Sequence, residues 1–210
     1  MSDQPSAENP LTVTQALNTR RAVKGFDAEF RIPEAEVQAM LEAAIQSPTA
    51  FNIQNWRIVR VTDAELRGRI REVAWDQSQV TDASELFILC ADNSAWDRDP
   101  ERYWVDAPQQ VQEIIVPNIR KYYQGRPMVA QDEGQRSCGM LGMSLMLAAT
   151  ERGYDSCPMD GFDYSAVAEL IGLPADHAIS FMVAVGKRAG EPFNRPGQLP
   201  LAEVVRENGF

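Results

Sequence analysis

The stretch that decides the fold runs from Gly134 to Phe162 and reads GQRSCGMLGMSLMLAATERGYDSCPMDGF. Its first part, through Arg152, contains no proline and has apolar side chains on every face of a helix, a pattern that is typical of the protein interior. The apolar run is shorter than the roughly 18 to 20 residues that a membrane span needs. This stretch therefore predicts a buried central helix.

Small residues interrupt the apolar run at Gly139, Gly142 and Ser144. Each glycine lowers helix propensity by about 1 kcal/mol relative to alanine, so their presence indicates that another helix or a flat ligand comes close. Gly153 is typical of the left-handed residue that ends a helix. The following residues 157–162 (CPMDGF) predict a sharp polar turn, where we expect a ligand.

Length and composition exclude several classes of protein. With 210 residues, 44% hydrophobic residues and a net charge of -10, the chain predicts a soluble globular protein that binds neither nucleic acid nor membrane. Cys90, Cys138 and Cys157 fit reduced thiols in the cytoplasm, and no zinc-binding spacing is present. Residues 1–10 predict a disordered tail without a signal peptide. The single histidine, His177, is interpreted as structural.

Periodicity and capping residues predict the order of the elements, with capping boxes expected at Thr12 with Gln15 and at Thr62 with Glu65. Helices are expected over residues 11–19, from Pro33 to Ile45, from Thr62 towards Trp75, over 111–123 with a break or kink at Pro117, over 134–152, and after Asp163 to Leu170. Strands are expected over residues 56–61, 85–91 and 180–185. Residues 92–106 predict a surface excursion, 125–132 a loop, and residues from Gly190 onward an extended tail.

Two groups of cations stand out in this acidic chain. Arg20, Arg21 and Lys24 lie within five residues, where they either compensate a helix dipole or form a phosphate clamp. The second group, which is a clamp or a solvated tail, consists of Lys187, Arg188 and Arg195. The glycine-rich loops of Rossmann and P-loop proteins and the G-x-S-x-G motif of hydrolases do not occur in the sequence.

Two polar stretches have either a connecting or a binding role. Residues 47–56 (SPTAFNIQNW) form a helix-to-strand connection anchored by Trp56, or they present hydrogen-bonding groups to a polar ring edge or a ribityl-like chain. Residues 75–79 (WDQSQ) repeat this pattern.

The motifs RRAVKGFD, SPTAFNIQNW, WDQSQVTDAS and CPMDGFD, in this order, resemble the nitroreductase family of FMN-dependent oxidoreductases. The resemblance extends from about Thr12 to Val205. It implies a three-layer α+β fold in which helices flank a central, mostly antiparallel sheet, with an extended C-terminal tail. It also implies that residues 1–210 form a single FMN-binding domain.

The resemblance assigns the FMN contacts by position. The residues implied at the phosphate and ribityl chain are Arg20, Arg21, Ala22 and Lys24. Those implied along the flavin are Ser47, Pro48, Thr49 and Asn52, with Asp76 or Gln77 near the pyrimidine edge. The turn implied to pack on the ring, with a backbone N–H facing flavin N5, consists of Pro158, Met159, Asp160 and Gly161. One of Lys187, Arg188 and Arg195 is implied to complete the phosphate site.

Three positions depart from the family pattern. Ala22 stands where a serine is common, so one hydroxyl contact is lost. Asn55 replaces a usual proline and is expected to loosen its loop. Asp76 stands where an asparagine is common, and its carboxylate would repel the C2 carbonyl of the flavin.

The implied reaction transfers hydride from NAD(P)H through FMN to a nitroaromatic, a quinone or a similar small acceptor. Two alternatives stay open: a flavin enzyme with another reaction, such as reductive dehalogenation or reduction of an activated double bond, and a flavin-binding protein without turnover. The implied partner is a second copy of the chain, because the small-residue helix and the proline-rich tail both suit a homodimer with FMN between the subunits.

Overall fold

A four-stranded antiparallel sheet lies at the centre of residues 11–210, the part of the chain that this computed structural model describes. The strands are Trp56–Arg60 (β1), Glu85–Asp92 (β2), Asp155–Met159 (β3) and His177–Gly186 (β4), in the order β1-β2-β4-β3. The tail predicted over residues 1–10 lies outside the described residues.

Helices surround this sheet in the same part of the chain. They are Val13–Thr19 (α1), Glu34–Ala44 (α2), Ala64–Glu72 (α3), Gln79–Asp82 (α4), Gln109–Tyr123 (α5), Pro127–Glu151 (α6), Tyr164–Leu170 (α7) and Leu201–Val204 (α8). Short 3-10 turns cover Ala50–Asn52 and Pro100–Trp104.

The sheet has a hydrophobic layer on each face because the side chains of β2 alternate in direction and are all buried. Phe87, Leu89 and Ala91 pack against α2 and α6, whereas Leu86, Ile88 and Cys90 pack against the layer formed by α3 and α7. The result is helix, sheet, helix. The predicted α+β fold with three layers is therefore confirmed.

The central helix α6 is longer than predicted. It begins at Pro127, and proline suits the first turn of a helix because the amide there has no intrahelical partner. The loop predicted over residues 125–132 is therefore wrong. Gly142 explains one small residue, because a Cβ there would lie 2.3 Å from Cζ of Phe181 on β4. The close packing of α6 against the sheet, rather than a ligand, therefore requires glycine at this position.

Of the predicted break or kink at Pro117, the break does not occur, since α5 continues through that proline from Gln109 to Tyr123. The predicted capping boxes have mixed outcomes. Thr12 caps α1 together with Gln15, as expected. The cap of α3, however, is Asp63 rather than Thr62, since the Asp63 side chain accepts from the Leu66 amide. Pro33 is the N-cap of α2 rather than its first helical residue.

The chain after α6 differs from the predicted sharp turn. Gly153 follows the helix with φ +76°, as expected for a left-handed terminator. Residues 155–159 then form β3, which pairs with β4, so the turn begins only at Asp160. The tail is extended except for the four residues of α8.

Among the described residues, no helix is long and apolar enough to cross a membrane. The three cysteines are buried free thiols, in agreement with the prediction. Burial raises the pKa of the Cys90 and Cys138 thiols to about 12, which keeps both protonated at neutral pH.

Candidate active site

Two predicted motifs that are far apart in the sequence meet beside β3. Ala22 forms a parallel bridge with Ser156, and the Val23 amide donates to the Ser156 carbonyl over 3.1 Å. The RRAVK segment therefore runs along the edge of the sheet next to residues 157–159. Backbone pairing, which the sequence pattern did not indicate, brings the cations to this edge.

Arg20 has an unusual environment. Its Nε and Nη1 atoms are buried, and neither has a hydrogen-bond partner within residues 11–210. Burial, and then the positive charge of Arg195, lower the pKa of Arg20. Arg195 itself donates from Nη2 to the carbonyls of Leu17 (2.7 Å) and Arg20 (3.2 Å). The backbone thus fixes two like charges side by side, an arrangement that an anion would stabilise.

A cavity of about 480 Å³ opens at these two arginines. Its lining consists of Leu17, Asn18, Arg20, Met143, Arg195 and Gln198. We call it the basic cavity.

The other predicted cations lie apart from the basic cavity. Nη1 of Arg21 donates to the carbonyls of Asn18, Thr19 and Arg20, which is the helix-end role that the sequence left open. Lys187 donates to the Gly153 carbonyl over 3.3 Å, and Arg188 pairs with Glu191 at 3.6 Å. Of the three predicted C-terminal cations, Arg195 is the one beside Arg20.

The turn at Gly161 meets the WDQSQ segment. Gln77 donates from Nε2 to the Gly161 carbonyl over 2.8 Å, and a Cβ at Gly161 would lie 2.6 Å from Cζ3 of Trp75. Trp75 is 77% exposed although it touches this turn. The side chain of Asp76 is exposed and pairs with Arg71 at 2.6 Å. Of the two alternatives, Gln77 is therefore the residue in contact with the predicted turn.

Gln79 is a member of this cluster that the sequence analysis missed. It is buried, and its Nε2 donates to Oε1 of Gln77 over 3.0 Å. Gln79 and Lys24 also lie next to the thiol of Cys157; burial raises the pKa of that thiol, and both neighbours oppose the rise. The available signal was the i, i+2 spacing of two glutamines that flank Ser78.

The turn also holds Asp160 in place. Its carboxylate accepts from the hydroxyl of Tyr164, and the Tyr164 oxygen also lies 3.2 Å from the Ser180 carbonyl. Burial and the Asp160 charge raise the pKa of Tyr164 to about 12. Pro158 is half-buried and Met159 buried on β3. Asp160 and Gly161 therefore form a fixed backbone corner.

Most of the polar groups of the 47–55 loop already have hydrogen-bond partners within the protein. Ser47 donates to Oγ of Ser144 on α6 over 2.7 Å, and Oγ1 of Thr49 accepts from the Gln54 amide. Asn52 donates from Nδ2 to the Tyr103 carbonyl. Pro48 is exposed. Asn55 is 1% exposed, and its backbone carbonyl accepts from the Asp92 amide. Its side-chain oxygen Oδ1 is buried without a partner among residues 11–210, and the loosening expected at this position stays a prediction.

The comparison with family models decides the assignment, because the model described as the Nitroreductase family matches residues 17–187. This chain belongs to the nitroreductase family. It is therefore an oxidoreductase. The match includes all four motifs on which the resemblance rested.

Similar proteins agree with this assignment. Protein DrgA of Synechocystis sp. is 49% identical over 195 residues, which cover 90% of this chain and 93% of DrgA. A nitroreductase-type protein from Exiguobacterium sibiricum, solved in complex with FMN, superposes with a TM-score of 0.85 at 25% identity and covers 94% of this chain and 98% of its own. The NADPH:FMN oxidoreductase of Vibrio harveyi, complexed with NAD+, gives a TM-score of 0.75 at 25% identity, with 94% and 77% covered.

Proposed function

We propose that this chain is a single FMN-binding domain of the cytoplasm, which takes hydride from NAD(P)H and reduces a small acceptor such as a nitroaromatic or a quinone. The partly buried guanidinium of Arg20 is the observation that carries this proposal. Two of its nitrogens have no partner among the described residues, and leaving such groups unpaired is costly. A phosphate monoester would pair with them and relieve the repulsion between Arg20 and Arg195.

The remaining residues fit the other parts of FMN. Lys24, Gln79 and Arg20 lie near the Cys157 thiol, and Gln79 bonds to Gln77, which contacts Gly161, so polar side chains connect the surroundings of Arg20 with the turn. The fixed corner at Asp160 and Gly161 offers backbone N–H groups. Bound FMN supplies the hydride chemistry, so the protein needs to hold the ring, tune it and leave one face open. The buried free thiols fit a reducing compartment.

The purified protein tests this function directly. We expect a yellow protein whose heat-released cofactor is FMN, and whose absorbance bleaches when NADH or NADPH is added without oxygen. Reoxidation by a nitroaromatic, a quinone and an activated alkene then ranks the acceptors. FAD in place of FMN, a colourless protein after FMN addition, or a bound flavin that neither nucleotide reduces would contradict the proposal.

Asp76→Asn is expected to raise the reduction potential of bound FMN. The substitution removes a negative charge and leaves the cation of Arg71 unpaired, and both changes favour a ring that gains negative charge. We expect a rise on the order of 20 mV, or about 1 kcal/mol for two electrons. A potentiometric titration measures it, with Glu65→Gln at the far end of α3 as the control. An unchanged or lower potential would remove Asp76 from the site.

We propose further that the protein works as a homodimer. The face of α6 that carries Gly139 and Met140 is exposed. The helix α1 packs against α6 and exposes Val13 and Leu17, and the tail exposes Phe193. Large apolar side chains on a surface mark an interaction site where they cluster. Because Leu17 and Met143 also line the basic cavity, a second copy on this face would lie beside the proposed FMN site.

Gly139→Glu separates a dimer interface from a free helix surface. A Cβ at Gly139 meets no atom of the described chain within 4 Å, so glutamate fits a monomer and only a partner would clash with it. We expect light scattering to show twice the chain mass for the wild type and at least about tenfold weaker dimerisation for the variant. Gly68→Glu, on α3 and equally free of neighbours, is the matched control. A wild-type monomer that retains FMN would contradict the dimer.

A further inference from the structure

The loop between Thr49 and Gln54 has an unusual backbone. Phe51, Asn52 and Gln54 have φ angles of +54°, +56° and +42°. Asparagine tolerates this left-handed region, but a bulky residue such as phenylalanine rarely adopts it. Such conformations persist only where the surrounding structure holds them, and they concentrate at functional sites. Something must therefore hold residues 51–54 in place.

Two hydrogen bonds from the 3-10 turn Pro100–Trp104 hold this loop from outside. Nε1 of Trp104 donates to the Phe51 carbonyl over 2.9 Å. The Tyr103 carbonyl accepts from Nδ2 of Asn52, also over 2.9 Å. Both bonds join segments that are more than fifty residues apart in sequence. Phe51 and Asn52 of the strained loop are thus bound to Trp104 and Tyr103 of the 92–106 excursion.

Aromatic rings also pack around Phe51, but ring packing does not orient the backbone as a hydrogen bond does. Its ring lies 5.3 Å from that of Tyr122 and 6.2 Å from that of Tyr123. Trp96 belongs to the same cluster and stacks on Tyr123 at 6.0 Å. Within residues 11–210, Trp96 donates no hydrogen bond to the 47–55 loop, so the indole N–H of Trp104 is what distinguishes the two tryptophans.

We propose that Trp104 is a positioning residue: its Nε1–H bond to the Phe51 carbonyl fixes the left-handed backbone of residues 51–54 and thereby holds the 47–55 loop in the form that binds FMN. The proposal rests on the proposed function for its cofactor. It gives the 92–106 excursion a defined role in the site. Without the bond, the peptide after Phe51 is free to turn towards an unstrained conformation, and the left-handed geometry is no longer fixed.

The test compares Trp104→Phe with Trp96→Phe. Each keeps a ring in the same aromatic cluster, but only the first removes a donor to the loop. In FMN-free protein, we expect amide exchange at Asn52, Ile53 and Gln54 to accelerate about two- to tenfold in Trp104→Phe, the range for one lost hydrogen bond. The dissociation constant for added FMN should rise within the same range. Trp96→Phe should change neither quantity.

Two results would overturn the proposal. One is equal exchange and equal FMN affinity in the two variants, and the other is faster exchange in Trp104→Phe with unchanged FMN affinity. If Trp104→Phe does not fold, exchange of the indole N–H groups in the wild type replaces it: Nε1–H of Trp104 should exchange more slowly than Nε1–H of Trp96, and equal rates would overturn the proposal. The exchange measurement needs no flavin, so failure of the proposed function, seen as a wild type without FMN, is distinguishable.

Discussion

Arg20→Ala is expected to weaken FMN binding by about ten- to a hundredfold, the loss of roughly 1.5 to 3 kcal/mol for hydrogen bonds to a charged group. The substitution removes the unpaired guanidinium but keeps the Arg20 carbonyl that accepts from Arg195. The second cation therefore stays in place, and the measurement isolates the contribution of Arg20. Titration of FMN-free protein, followed by flavin fluorescence, gives the dissociation constant.

Arg21→Ala is the matched control, since its guanidinium caps the end of α1 and lies outside the basic cavity. We expect FMN affinity within about twofold of the wild type for this variant. A second readout separates binding from folding. FMN-free Arg20→Ala should be at least as stable as the wild type, because the substitution removes buried donors that lack partners. Equal FMN affinity in Arg20→Ala and wild type would leave Arg20 with a structural role alone.

Asp92→Asn is expected to destabilise the protein by about 2 to 3 kcal/mol. The Asp92 side chain is fully buried at the end of β2. It accepts from Arg57 at 2.8 Å, from Arg98 at 3.3 Å and from the Ser94 amide at 3.1 Å. Asparagine has the same shape as aspartate, but one of its two oxygens is replaced by an NH2 group. That group donates and cannot accept from the arginines or the Ser94 amide. Because Arg57 and Arg98 are partly exposed and can reach water, the cost stays below that of a wholly buried pair.

Glu101→Gln provides the control for Asp92→Asn, since Glu101 pairs with Arg120 at 2.9 Å and both side chains are about half exposed. An exposed pair of this kind contributes about 0 to 1 kcal/mol. Urea titration of both variants, at a fixed protein concentration, gives the free energies of unfolding. A loss for Asp92→Asn no larger than that for Glu101→Gln would show that the buried carboxylate does not anchor this end of the sheet.

The same cluster explains the single histidine. Nδ1 of His177 lies 2.7 Å from Oδ1 of Asp176, and its Nε2 lies 3.7 Å from Oδ2 of Asp92. Asp176 also pairs with Arg98 at 2.5 Å. His177 thus lies between two aspartates at the start of β4, where it contacts structural side chains, as its interpretation as structural predicts. Arg57 and Arg98 pair with Asp92, and Arg98 also pairs with Asp176, so both carboxylates of the cluster have cationic partners.

Local sequence determined much of this protein. The all-apolar run of α6, the buried run of β2 and the caps at Thr12 and Asp163 were readable because each depends on neighbours within a few residues. The order of four motifs was sufficient for the family. Local signals failed where tertiary contacts outweigh them, as at Pro117, whose expected break does not occur in α5.

Tertiary structure alone decided which of the predicted residues lie next to one another. Besides Arg20, the sequence suggested five arginines and lysines as phosphate ligands and did not distinguish among them. The structure places Arg195 next to Arg20 because the extended tail returns to the end of α1. It likewise placed Gln77, rather than Asp76, against Gly161, and added Gln79. Capping and periodicity act within a few residues, whereas the contacts of Arg195 with α1 and of Gln77 with Gly161 join segments 80 or more residues apart, whose distance only the packed sheet and helices fix.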